Sequence, residues 1–536
     1  MSELTKEQLE QLDKDALIQQ FMNLQEQYKQ MDQKQQLILE QLAVMNRRQF
    51  GKSSEKLPPD GQLMFVEPNG EIGYFNEAEA VSAATEFDEE EPVKKRGKKV
   101  QGKRAADISN LPVVQIDHMM TEDELVTEFG EDGWRQLPDE IYNRYRFVPA
   151  KVEIEEHHVG VYKSRTDGHF RKAPHPAYLI RNSLVSPTLE AAIMNAKYVN
   201  AMPLYRQEQD FARYGMDITR AEMAHWTILC AERYLSILYD FLHRQMYGYH
   251  VLQADETSVR VHHEDRTEGD KHYMWVYRTG KMYSNQIVLY EYQPTRNASH
   301  PAEFLKDFRG ICVTDGYQVY HRLEAEHEDL KIAGCWAHAR RRFDDALKAQ
   351  PKEKRKSSLA HKALKLIQAV YREEGRLKDL PPDERLEHRQ LTVKPLVDAY
   401  FAWVKQNVGK VLPKSETGKG FSYSLNQEKY LRVFLTDGEV PMDNNSAEQS
   451  IRGFCVGRKN WVAIDTIAGA QSSAIIYSIT ETAKANNLKP YNYLEYLLTV
   501  IPEHMDDHDT SFCEALLPWS DQLPDDCRKP QKPQKS

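Results

Sequence analysis

The chain has 536 residues, too many for one hydrophobic core, so three or more units are expected. No apolar run approaches the ~18–20 residues of a membrane span, and the acidic, polar start MSELTKEQLEQLDKD is unlike a secretory signal, so a cytoplasmic protein without a membrane partner is expected. The formal charge of −10 leaves any nucleic-acid binding to local basic patches. The six cysteines (Cys230, Cys312, Cys335, Cys455, Cys513 and Cys527) contain no CxxC pair, which argues against both a disulfide framework and a cysteine zinc site.

Residues 1–50 read as a coiled-coil helix. Leu17, Phe21, Leu24, Tyr28, Met31, Gln35, Ile38, Leu42 and Met45 recur at alternating spacings of four and three, a heptad seam with one polar position. The seam points to a homo-oligomer; the alternative is an amphipathic helix packed on its own protein. Residues 51–105 read as a solvated linker with an acidic run, Asp88 to Glu91, followed by KKRGKKVQGKR. Lys94, Lys95 and Arg96 in that basic run could serve as an arm for DNA backbone. After a segment at 106–185, residues 186–246 turn helical. Pro203 opens one helix, Gly215 interrupts, and Thr219 caps the next with Glu222 three residues on. Two short helices about a glycine turn resemble a helix-turn-helix, with Arg220 at the start of the recognition helix.

Residues 247–337 read as a strand through Asp255, two β-rich runs (HYMWVYR and NQIVLYEYQP), a helix near 301–309, a strand ending at Asp315, and the short strand KIAGCWAH. That order resembles the ribonuclease H-like α/β fold, in which the two acid-bearing strands would be sheet neighbours. Residues 338–435 are helical and basic, too long for a loop, and read as an insertion. Residues 436–500 complete the core and 501–536 form a tail. The fold expected is therefore multidomain α+β.

Three acids stand in settings suited to metal-dependent phosphoryl transfer. Strand alternation puts Asp255 on one face with Val251, Val259 and Val261, and an acid there is costly unless paired or bound to a cation. Ile311, Val313 and Asp315 share a face that Gly316 ends. Glu448, Ile451 and Cys455 fall along one helical stripe. Each has a plainer reading: Asp255 facing solvent, Asp315 forming a turn, and Glu448 capping Asn445 or pairing with Arg452. Two Mg²⁺ or Mn²⁺ ions could be held by so few carboxylates, with Asp255 bridging, Asp315 on one ion and Glu448 on the other.

The motifs QADET, VTDGY, GCWAHARRRF and DNNSAEQSIRGFCVGRKNW resemble the transposase of the insertion sequence 66 family. RRQFGKSSEKL, PLYRQEQDFARYG and LLPW extend the resemblance through nearly the whole chain. It implies D-D-E chemistry on double-stranded DNA, transposon ends and target, with Asp255, Asp315 and Glu448 as catalytic and metal-binding acids and element-encoded accessory proteins as further partners. Family members carry a cysteine-rich zinc segment where this chain has none at 106–185. His118, His157, His158 and His169 there make no convincing ligand set, so a metal-free domain is expected. Arg340, Arg341, Arg342, Arg452, Arg458 and Lys459 are the expected DNA contacts near the acids, while Trp461 reads equally as core or stacking platform. The alternatives to a transposase are a ribonuclease H-like nuclease and an inactive DNA-binding regulator.

Overall fold

The computed structural model describes residues 151–163, 169–262 and 271–530, with shorter stretches before them, chiefly 21–28, 63–66, 72–75 and 118–131. Of the expected coiled-coil seam, Phe21, Leu24, Tyr28, Met31 and Gln35 are helical and exposed, while Leu17, Ile38, Leu42 and Met45 lie outside the described residues. Lys94, Lys95 and Arg96 lie outside them too. The segment read as linker contains an antiparallel hairpin of β1 (Leu63–Val66) and β2 (Ile72–Phe75). Two apolar runs on either side of the turn-forming sequence Pro68-Asn69-Gly70 account for it.

Helix α1 (Glu122–Phe129) starts at a Thr121–Glu124 capping box and buries no residue. A second small hairpin joins β3 (Val161–Lys163) to β4 (Phe170–Lys172). His157 and His158 lie within 3.4 and 3.0 Å of Glu155 and Glu156.

The helical region follows the local signals closely. Ser186 caps α2 (Pro187–Met194) by accepting from the Leu189 N–H. Pro203 precedes α3 (Leu204–Arg213), and Gly215 turns the chain at φ +81°, where a side chain would be strained. Thr219 and Glu222 form the capping box of α4 (Arg220–Cys230). A wider turn at Ala231–Leu235 then leads into α5 (Ser236–Met246). Met194, Met223, Cys230, Leu235, Leu238 and Leu242 are fully buried among these helices.

The central element is one mixed sheet of five strands: β5 (Val251–Val259), β6 (His272–Thr279), β7 (Val288–Gln293), β8 (Gly310–Thr314) and β9 (Leu330–Gly334). The spatial order is β7-β6-β5-β8-β9, antiparallel from β7 to β5 and parallel from β5 to β9. The strands carrying Asp255 and leading to Asp315 are thus neighbours, as their order in the sequence led us to expect. Helix α6 (Ser299–Phe304), read at 301–309, and α7 (Gln318–Glu326) make the crossovers.

Alternation along the strands splits the core in two. Leu252, Ala254, Cys312 and Ile332 point into a core with α7, the helical region and the C-terminal helices. Val251, Ile311, Val313 and Ala333 point the other way, into the inserted helices. These are α8 (Trp336–Ala349), α9 (Leu359–Arg376), α10 (Pro382–His388), α11 (Lys394–Asn407) and α12 (Glu416–Leu431), packed around Trp336, Phe343, Tyr400, Phe401 and Phe421. These helices therefore share one core with a face of β5, β8 and β9.

Helix α13 (Asn445–Trp461) packs across β5 and β6, and α14 (Ile467–Ala485) lies on β7. As the edge strand, β7 has outward N–H groups that need acceptors. Thr482 Oγ1 takes the Val288 N–H at 2.9 Å, and Ser478 Oγ takes that of Tyr290 at 2.7 Å. After α15 (Pro490–Val500), buried Leu516 and Leu517 close the core, with the Tyr493 hydroxyl donating to the Leu516 carbonyl. All six cysteines are buried and free, and among the described residues no helix is long and apolar enough to cross a membrane.

Candidate active site

Asp255 lies in the middle of β5, on the face shared with Val251. The parallel register pairs Gln253 with Val313, and extending it by two residues sets Asp255 level with Asp315, just past the end of β8. The Asp315 carboxylate accepts the Tyr317 N–H at 2.8 Å, a local turn bond that fixes its rotamer. Between them Gly316 takes φ +92°. A Cβ there would come within 3.0 Å of Gln427 and 3.1 Å of the Tyr423 hydroxyl. Those two α12 side chains also donate to this turn: Tyr423 to the Asp315 carbonyl at 2.8 Å and Gln427 to the Gly316 carbonyl at 3.3 Å. The insertion thus braces the turn that presents the second acid.

Glu448 is placed by stitches between β5 and the segment that starts α13. Gln253 Nε2 donates to the Asp443 carbonyl at 3.2 Å, and Asn444 Nδ2 donates to the carbonyl of Ala254, next to Asp255, at 2.8 Å. The Asn444 N–H reaches Cys335 Sγ at 3.1 Å. Arg278 on β6, only 5% exposed, donates to the Ser446 carbonyl and to Ser450 Oγ at 3.2 and 3.0 Å. The first turn of α13 is therefore held from two strands and α8.

Neither plainer reading of Glu448 matches these contacts. The N-cap is Asn444, without a side-chain cap, and the carboxylate turns to α8 instead of Arg452. Its Oε2 accepts from Arg341 Nη2 at 2.8 Å, and its Oε1 lies 3.5 Å from His338 Nδ1. Glu448 is 4% exposed, and its Oε1 has no hydrogen-bond partner. Burial raises its pKa, but Arg341 and His338 outweigh burial and hold it below the ordinary range.

Asp255 is in the opposite condition. Burial first, then the charges of Glu256, Glu448 and Asp315, drive its carboxyl well above the ordinary range. Chain segments far apart in sequence thus bring Glu448 and Asp315 close enough to raise Asp255. A cluster of this kind favours a bound cation or retained protons.

Glu256, which the sequence reading passed over, points to the other face of β5. It is buried against Arg296, whose Nε donates to it at 2.7 Å, and Tyr320, at 3.2 Å. Arg296 in turn stacks 3.7 Å from the Tyr317 ring centroid, behind the Asp315 turn. Burial and Asp315, opposed by Arg296, push the Glu256 carboxyl up to about 7. Two adjacent acids on a strand whose neighbours are apolar put one acid on each face, a signal available in QADET itself.

The expected DNA contacts fall into different places. Arg341 faces inward to Glu448, and Arg458 donates to Thr257 Oγ1 and the Ser258 carbonyl, which commits it to closing the end of β5. Arg340, Arg342 and Arg452 are half-buried, while Lys459 is exposed. Arg220 is exposed at the start of α4, its guanidinium 5.7 Å from the Tyr205 ring centroid. Trp461 packs against the core near Tyr477.

Comparison with known families bears directly on this arrangement. The model of the Transposase IS66 family matches residues 182–472, more than half of the chain and all three acids. The chain belongs to this family. The IS66 C-terminal element matches residues 478–519, and a model described as Transposase C of IS166 homeodomain matches 38–116. Among curated relatives, the uncharacterized protein y4qI of Sinorhizobium fredii is 29% identical over 493 residues, covering 89% of this chain and 88% of its own. The uncharacterized protein y4hP of the same organism is 25% identical over 408 residues, covering 74% of this chain and 71% of its own. IS66 membership makes the chain a transposase by family and DNA its expected partner.

Proposed function

We propose that this IS66 transposase cleaves and joins DNA strands at transposon ends through Asp255, Asp315 and Glu448, set on a ribonuclease H-like core. The observation that carries the reading is the register that sets Asp255 level with Asp315, together with the Asp255 carboxyl, raised by burial first and then by Glu256, Glu448 and Asp315. The donor set fits a hard cation, because all three side chains offer oxygen and Glu448 Oε1 is buried without a partner. Two Mg²⁺ or Mn²⁺ ions, when bound, would activate the attacking water or 3′-hydroxyl and stabilise the leaving oxygen.

The protein's own part is positioning. Asp255, whose carboxyl is raised by both of the others, would be the shared ligand. Tyr317, Tyr423 and Gln427 hold the Asp315 turn, and Arg341 keeps Glu448 ionised and oriented. Arg340, Arg342, Arg452 and Lys459, with Arg220 on the helical region and the basic run at Lys94, Lys95 and Arg96, are the proposed DNA contacts. Self-association through the N-terminal heptads would bring two ends together.

Asp255→Asn keeps the volume and removes the charge. The variant should bind end DNA normally and show no Mg²⁺-dependent cleavage or joining; cleavage at the wild-type rate would remove Asp255 from the site.

A further inference from the structure

We propose that Cys335, His338 and Glu448 form a site for a thiophilic divalent ion of the zinc type, and that an ion bound there withdraws Glu448 from the catalytic acids. One ligand atom from each lies within 4.8 Å of the other two. Cys335 and His338 come from the start of α8, three residues apart, and Glu448 from the first turn of α13.

The surroundings of each ligand suit metal binding. Cys335 Sγ accepts the Asn444 N–H at 3.1 Å and faces the His338 backbone N–H as well. Burial first, then Glu448 and Asp443, hold the thiol well above its ordinary range against these two amide donors, so a bound ion must displace its proton; outer donors of this kind accompany metal-bound ligands. Glu448 Oε1 and His338 Nδ1 are both buried without a hydrogen-bond partner, although they lie 3.5 Å apart. Tetrahedral zinc with N and O ligands at about 2.0–2.2 Å sets such atoms roughly 3.3–3.5 Å apart. That pair already has the spacing, so the sulfur is the ligand that must close in. Before an ion binds, Glu448 Oε2 accepts from Arg341 at 2.8 Å. A water or a DNA phosphate oxygen can fill the fourth position.

Ligand softness separates this site from the all-oxygen one. A thiolate and an imidazole recruit zinc, while Mg²⁺ takes oxygen ligands. One residue, Arg341, opposes the ion. Its Nη1 is 3.4 Å from His338 Nε2, and ligation through Nδ1 puts a proton on Nε2, facing that donor. The guanidinium must turn for the ion to bind, so Arg341 sets the affinity from outside. Binding itself is independent of the catalytic reading; only the consequence, that zinc competes with Mg²⁺ for Glu448, rests on it.

The test uses the full chain, stripped of metal and titrated with Co²⁺ in the absence of DNA and Mg²⁺. About one equivalent should produce a thiolate-to-cobalt charge-transfer band with tetrahedral visible bands, and Zn²⁺ should displace it. Cys335→Ser should abolish the charge-transfer band and His338→Gln should weaken binding by about tenfold or more, while Arg341→Met should strengthen it, because the guanidinium that opposes the ion is gone. Absence of the band in the wild type, or its survival in Cys335→Ser, overturns the proposal. Should Cys335→Ser fail to fold, His338→Gln decides, because it leaves the thiol in place and unchanged cobalt affinity would refute the site. In Mg²⁺-dependent joining, zinc should inhibit the wild type and spare Cys335→Ser relative to its own uninhibited rate; equal inhibition of both refutes the consequence. If instead Asp255→Asn still joins DNA, the catalytic reading fails while the cobalt spectrum is untouched.

Discussion

Replacing Arg341 by Met tests the electrostatic design of the site. The guanidinium is the ion-pair partner of a carboxylate that is 4% exposed, and Met fills much of the volume without the charge. Breaking a fully buried pair costs about 3–5 kcal/mol because the remaining charge is left uncompensated. Here Arg341 is itself 39% exposed, so solvent screens part of the interaction and about 2–3 kcal/mol is the better figure. For a folded body of about 350 residues that corresponds to roughly 3–4 °C in the thermal midpoint. The loss should depend on pH with a definite sign. In the wild type the folded Glu448 pKa is depressed, so its stabilisation is present above the unfolded pKa and is lost as pH falls. Without Arg341, burial dominates and raises the folded pKa, so the variant is penalised at neutral pH and relieved by acid. The gap between the two midpoints should therefore shrink as pH falls below about 5. Added Mg²⁺ should also narrow it at pH 7, since a cation replaces the lost partner. Thermal melts across pH, with and without Mg²⁺, measure both effects. A gap independent of pH and of Mg²⁺ would mean that Arg341 acts through packing, and the electrostatic account would be wrong.

Gly316→Ala should leave the fold intact but misplace Asp315, because the residue sits at φ +92° against Gln427 and Tyr423. A destabilisation of about 1–2 kcal/mol with a much larger loss of joining is expected, read by melts and strand-transfer assays, and unchanged joining would refute the bracing role of α12. Glu190, fully buried with only Thr227 as a hydrogen-bond donor, has its carboxyl pushed by burial up to about 8. A raised acid contributes its full stability below the unfolded value near 4.5 and loses it as pH rises to about 8. Glu190→Gln should flatten that window, removing at most about 5 kcal/mol of pH dependence, and a wild-type-like pH profile in denaturant titrations would contradict it.

What was legible in the sequence is what short stretches of chain decide. Thr219 with Glu222, Pro203 and Gly215 act within a turn or two, and all fall where the pattern puts them. Strand alternation put Asp255 on the face with Val251, and the glycine after Asp315 marked a strand end. The partners of the acids were illegible because each comes from a remote segment: Arg341 for Glu448, Tyr423 for the Asp315 turn, Arg296 for Glu256. The near alternative, Arg452 one turn beyond Glu448, has the right spacing on the helix but not the right direction, since α13 points Glu448 at α8. Arg341 and Arg458 were read as phosphate contacts from charge alone, and charge says nothing about which way a guanidinium turns.

Asp255 and Glu256 show how a functional acid differs from a structural one when both are buried side by side. Burial is the largest influence on each, and each feels Asp315. Glu256 is answered by the protein itself, with Arg296 and the Tyr320 hydroxyl on its oxygens, so its charge is an ordinary buried pair that anchors the sheet to the crossover behind the Asp315 turn. Among the described residues Asp255 has no basic partner of its own; its carboxylate accepts the Glu256 N–H, and Arg341 is spent on Glu448. A fold can keep an unanswered carboxylate on a core strand only if the compensating charge arrives from outside or the proton stays on. The chain answers one of the two adjacent acids and leaves the other, and the unanswered one is raised further by Glu448 and Asp315. This asymmetry, more than the acidity of the cluster, makes Asp255 the residue around which a cation site would be built.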